Sequence, residues 1–186
     1  MRKIILVLLL TFFGIKSYAQ GGDLHLGAQG GYVNFDEYGG FLYGLNLSYD
    51  FSNLLQISAT GLMNPNVIKK DGFDSTRDEK ISLYSTNLDV RFFIINQEVW
   101  AMGPSFGGQY LSAKYSYRYT PSPDATDYYD LSLRDYDTTG FNIGWHIRAN
   151  ITDNLRATAG WRYTSAGEGA NHHFFYLGFG YAINLF

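Results

Sequence analysis

The chain has 186 residues, with 17 acidic against 14 basic side chains, no cysteine, and aromatics at 18%. The acidic balance excludes a nucleic-acid partner, since phosphate binding needs a basic footprint, and the missing cysteines exclude a disulfide framework. The length suits one domain, and 21 Gly and 16 Tyr against 4 Pro favour many paired strands.

Met1-Arg2-Lys3 is basic, Ile4 to Gly14 is apolar except for Thr11, and Ser17-Tyr18-Ala19 sets small residues before Gln20. Residues 1–19 therefore read as a secretory signal peptide, and residues 20–186 as the mature domain. A retained helical anchor would need about 20 apolar residues, more than this run supplies. No cysteine follows it, which excludes a lipoprotein anchor.

Eight segments then alternate with a period of two. The first, from about Asp23 to Asn34, sets Leu24, Leu26, Ala28, Gly30 and Tyr32 on one face against His25, Gly27, Gln29 and Gly31. In the second, Phe41, Tyr43, Leu45, Leu47, Tyr49 and Phe51 oppose Gly44, Asn46, Ser48 and Asp50. After a Ser52-Asn53 turn, the third sets Leu55, Ile57, Ala59 and Met63 against Gln56, Ser58 and Thr60. Asn64 to Lys80 is polar and is expected to be a loop. The fourth segment places Tyr84, Thr86, Leu88, Val90, Phe92 and Ile94 against Ser85, Asn87, Asp89 and Arg91.

Asn96-Gln97-Glu98 turns the chain into the fifth segment, with Trp100, Met102, Phe106 and Tyr110 on the apolar face and its alternation running to about Tyr119. The sixth opposes Phe141, Ile143, Trp145, Ile147 and Ile151 to Asn142, Gly144, His146, Arg148 and Asn150. The seventh opposes Leu155, Ala157, Ala159, Trp161 and Tyr163 to Arg156, Thr158, Gly160, Arg162 and Thr164. The eighth sets Phe175, Leu177, Phe179, Tyr181, Ile183 and Leu185 against Tyr176, Gly178, Gly180, Ala182 and Asn184.

On this reading every Glu (Glu37, Glu79, Glu98, Glu168), and every Lys after the leader except Lys114, lies in a loop or turn. A soluble barrel would carry Lys and Glu along its strands, whereas a transmembrane barrel alternates apolar outward with polar inward. Connections after the second, fourth and sixth strands are short, as periplasmic turns are; those on the other side are mostly longer, as extracellular loops are. Phe41, Tyr43, Tyr110, Phe141, Tyr163 and Phe175 fall near the loop side and Tyr49, Phe51, Phe92 and Trp100 near the turn side, forming two aromatic girdles. The fold expected is an all-β, eight-stranded antiparallel up-and-down transmembrane barrel. A soluble lipocalin-like barrel is the rival, with its apolar rows turned inward around a ligand cavity.

The architecture, the leader and the closing run Tyr176 to Phe186 resemble the small eight-stranded outer-membrane barrels, the OmpA transmembrane domain and OmpX-like family, and are similar to the outer membrane β-barrel domain that includes PorT-like proteins. The resemblance covers the whole mature chain. It implies residence in a Gram-negative outer membrane, with Phe186 in the terminal signal read by the barrel assembly machinery.

Inward rows carry Asp50, Asp89, Arg91, His146, Arg148, Arg156 and Arg162. An eight-stranded barrel is just wide enough for side chains to fill, so these residues are expected to plug the lumen as a hydrogen-bonded ion network. A narrow, Arg-lined pore is the alternative. Catalysis of the lipid-modifying kind would need a Ser, His and acid constellation. His146 has no Ser beside it in its strand, and Ser165, Glu168, His172 and His173 lie in an expected loop without a recognisable spacing. No catalytic residue, cofactor or metal set is assigned. Tyr115, Tyr117 and Tyr119 extend the fifth strand past the membrane, and Tyr128 and Tyr129 open a segment that could pair back with it. An extracellular protein partner would meet this Tyr-rich hairpin. The whole is read as a monomeric structural or surface-interaction protein surrounded by membrane lipid.

Overall fold

The computed structural model describes residues 22–35, 38–69, 77–119, 129–167 and 171–183. The signal peptide of residues 1–19, Tyr128, Phe186, and Glu37, Lys70 and Glu168 of the loop reading lie outside them. Among the described residues nine strands follow in order: β1 Leu24–Phe35, β2 Tyr38–Ser52, β3 Leu55–Lys69, β4 Arg77–Phe92, β5 Ile95–Asn96, β6 Trp100–Tyr119, β7 Tyr129–Asn150, β8 Leu155–Ala166 and β9 His172–Ile183. β5 is a two-residue pairing with Ala101 and Met102 inside the turn that follows β4. The other eight form one antiparallel sheet in the order β4-β3-β2-β1-β9-β8-β7-β6, and β4 pairs with β6 to close it into a barrel.

The period-two rows of the sequence become the two faces of the wall, because successive side chains of a strand point to opposite sides. Leu45 (64% exposed), Leu177 (68%) and Phe179 (60%) stand on the outside, together with Leu88, Phe106, Ile143, Trp145 and Ile147. His25, Gln29, Ser58, Asn87, Asp89, His146 and Arg162 are buried inside. A continuous apolar outer belt over a polar interior is the inverse of a soluble barrel. The lipocalin-like arrangement is therefore excluded, and the belt meets lipid.

Two expectations are corrected. Tyr49 belongs to the outer row but is only 5% exposed. Residues before β1 fold over it: Asp50 N–H donates to the Asp23 carbonyl at 3.0 Å, and a side chain at Gly22 would overlap the Tyr49 hydroxyl. Phe51 closes the remaining side, its ring edge-on at 4.8 Å. The described parts of the polar stretch Asn64 to Lys80 are strand rather than loop, since Val67 pairs with Ile81 and Ile68 with Lys80, so Lys69, Glu79 and Lys80 sit on strands. Ladder hydrogen bonds are made by the backbone alone, so the continuation needs no apolar row.

Candidate functional site

At the end of the barrel where the tight turns lie, the lumen is filled by charge. Asp50, at the bulged end of β2, accepts from Gln56 Nε2 at 2.7 Å and from Arg148 Nη1 at 3.1 Å, and pairs with Arg156. His25 Nε2 stands 3.7 Å from the same carboxylate. These groups come from five different strands and converge because each is an inward residue near the same end. One carboxylate facing two guanidinium groups in a low-dielectric site holds those strands together.

One layer further in, Asp89 pairs with Arg162 and accepts from Asn142 Nδ2 at 3.2 Å. Asn142 also donates to Asn87 Oδ1 at 3.2 Å and accepts from Thr164 Oγ1 at 2.7 Å. His146 is fully buried at the centre. Its Nε2 lies 3.5 Å from Arg91 Nη1 and its Nδ1 3.0 Å from the Tyr176 hydroxyl. Arg91 can only donate and the Tyr176 hydroxyl can do either, so the contact favours the tautomer with Nε2 as acceptor and the ring proton on Nδ1. Gly160 makes this possible, since a Cβ there would overlap the Tyr176 hydroxyl.

Two features of the lumen have no counterpart in the sequence reading. Phe93 is 2% exposed, with the Arg148 guanidinium 4.1 Å above its ring, a cation–π contact that offsets part of that group's lost hydration. Its inward position two residues after Arg91 is the only signal the sequence carried. The second is larger in extent. Toward the loop end the inward row turns apolar: Val33, Leu42, Leu62, Ile81, Leu83, Leu111, Ala113, Phe174 and Tyr176 form one buried cluster. The lumen thus has two layers, an ionic one below and an apolar one above. An apolar layer of this kind resists wetting.

The proposed Tyr hairpin has a definite backbone. β6 pairs with β7 continuously from Trp100 with Ala149 to Tyr119 with Tyr129, with one irregularity between Tyr115 and Ser116. β4 joins the other side of β6 up to Arg77 with Tyr119. Pairing of β7 with β8 stops at Gly140 with Ala166. Beyond that rung, β7 from Tyr129 to Thr139 has no strand on its second edge among the described residues.

The catalytic candidates are dispersed. Ser165, His172 and His173 lie on strands rather than in a loop. His172 is buried and His173 exposed, as neighbours on a strand must be, so the two cannot share a ligand. His173 instead accepts at Nδ1 from Trp161 Nε1 at 3.2 Å and stacks on that indole. Among the described residues no group of three His, Cys, Asp or Glu side chains could hold a metal ion.

A family model described as outer membrane protein beta-barrel domain matches residues 5–182. A comparison with curated proteins finds no match. Among solved structures, a major outer membrane protein from Thermus thermophilus is similar with a TM-score of 0.63 at 16% identity, covering 88% of this chain and 100% of that one. OprG from Pseudomonas aeruginosa is similar at 0.57 and 13% identity, over 89% and 98% of the two chains. Ail, the attachment invasion locus protein of Yersinia pestis, is similar at 0.53 and 18% identity, over 87% and 97%. At such identities the likeness concerns the fold.

Proposed function

Because the chain belongs to the outer membrane protein beta-barrel domain family, we propose that it is a closed, non-catalytic outer-membrane scaffold whose work is done by a projecting extracellular sheet that takes a protein partner. Export through the signal peptide of residues 1–19 and insertion by the barrel assembly machinery, with Phe186 in the signal, bring it there as a monomer.

The observation that carries this reading is the unequal height of the wall. β4, β6 and β7 continue together past the Gly140–Ala166 rung where β8 ends its pairing. Among the described residues that leaves one long backbone edge, Tyr129 to Thr139, to receive an added strand. Tyr115, Tyr117, Tyr119 and Tyr129 lie on this sheet, and Tyr supplies contact area at low entropic cost. A two-layer lumen favours a scaffold over the alternative of a narrow channel. Of the proteins sharing the fold, Ail is named for attachment and invasion, which adds support by analogy of fold alone.

The test displays the protein on bacterial cells and measures their adherence to immobilised extracellular-matrix proteins. Leu131→Pro and Ser132→Pro serve as variants. Adjacent N–H groups of a strand point to opposite edges, so one of these prolines removes a donor from the open edge while sparing the ladder to β6. Adherence abolished by that proline, with the barrel still folded, supports the reading. Adherence unchanged by both would remove the edge from consideration.

A further inference from the structure

Among the described residues the lumen holds more positive charge than its own carboxylates neutralise. Asp50 takes Arg148 and Arg156, and Asp89 takes Arg162. Asp23, half exposed at the mouth, adds a contact to Arg156 at 3.8 Å. Arg91 is left over. It is 2% exposed, and its partners are neutral: Nη1 donates to Gln56 Oε1 at 3.0 Å and faces His146 Nε2 at 3.5 Å. Its Nε and Nη2 have no hydrogen-bond partner among the described residues.

An Arg cannot shed its proton to escape burial, and a buried cation without an opposite charge is strongly disfavoured. Arg148 and Arg162 add to the burden, lying close enough to act electrostatically on the same His146 ring. A water molecule would satisfy the free N–H groups but not the charge. Those two groups share one edge of the guanidinium plane and point the same way, forming a two-donor fork for a single acceptor.

We propose that Arg91 holds a small monovalent anion of halide size, occluded in the lumen and bound through Nε–H and Nη2–H. Size follows from the partners: Nη1 is already held by Gln56 Oε1 and faces His146 Nε2, so only the Nε–Nη2 edge is left for the ion. The anion is a fixed part of the fold and is captured as the barrel closes.

The experiment refolds the mature barrel in sodium chloride, sodium bromide or sodium gluconate at constant ionic strength, so that screening is the same throughout. Refolding in each salt removes any dependence on slow exchange. The thermal midpoint is expected to rise with chloride and bromide by about 3 °C or more for each tenfold increase above the dissociation constant, and Arg91→Met is expected to lose this dependence. Crystals grown in bromide should show an anomalous peak within hydrogen-bonding distance of Arg91 Nε and Nη2. A midpoint indifferent to halide, or bromide crystals with only a water at that fork, overturns the proposal. Both wild-type measurements decide the matter even if Arg91→Met fails to fold.

Discussion

Arg148 and Asp50 stand 98 residues apart in the chain and meet at 3.1 Å across the lumen. β7 and β2 do not pair with each other, so this contact spans the barrel rather than running along its wall. Their side chains are 7% and 10% exposed. Removing the carboxylate leaves two guanidinium groups without their partner, so Asp50→Asn is expected to cost about 3–5 kcal/mol, read from urea unfolding in lipid vesicles. A loss below about 1 kcal/mol would mean that water already screens the group.

On the outer wall, Leu45→Arg and Ile143→Arg each place a cation against lipid and are expected to cost about 2–4 kcal/mol if they sit near the midplane. Leu54 in the β2–β3 turn is 58% exposed, and Leu54→Arg should cost no more than about 1 kcal/mol. Equal losses at all three positions would contradict the assignment of the belt.

Leu62 and Leu83 are 4% and 1% exposed in the apolar layer. Truncation to Ala leaves a cavity in a packed cluster, with an expected cost of about 2–5 kcal/mol each. Were that layer open to water, the same substitutions would be nearly neutral in the same unfolding assay.

Two glycines provide a matched pair. A methyl at Gly160 overlaps the Tyr176 hydroxyl, whereas one at Gly61 meets nothing within 4 Å. Gly160→Ala is expected to push Tyr176 off His146 and cost about 1–3 kcal/mol; Gly61→Ala should stay within about 0.5 kcal/mol of wild type. The His146 imidazole resonances, followed by NMR, should move only in the first variant.

Much of this was legible in the sequence, because a strand converts parity directly into side: Leu45 and Ile143 outward, Asp89 and Arg162 inward, follow from counting by two. What parity does not carry is depth along the barrel. The inward rows of Leu42, Leu62 and Leu111 break the polar-in rule, and only the register of neighbouring strands brings them to one level as a plug. Tyr49 defeats parity for a different reason, being covered by Gly22 and Asp23 rather than turned inward. The strand extensions to Lys69 and from Arg77 were hidden because backbone pairing needs no apolar row. Which carboxylate would meet which guanidinium is likewise a matter of register and reach across the lumen.

Central to the account is that the barrel is closed, and single-channel recording of the refolded mature chain in a planar bilayer tests this most directly. The expected result is silence from a verified folded barrel, in wild type and in Arg148→Ala and Arg162→Ala alike, since the apolar layer remains in each. A steady conductance altered by those substitutions would contradict it and make the Arg row the filter of a pore.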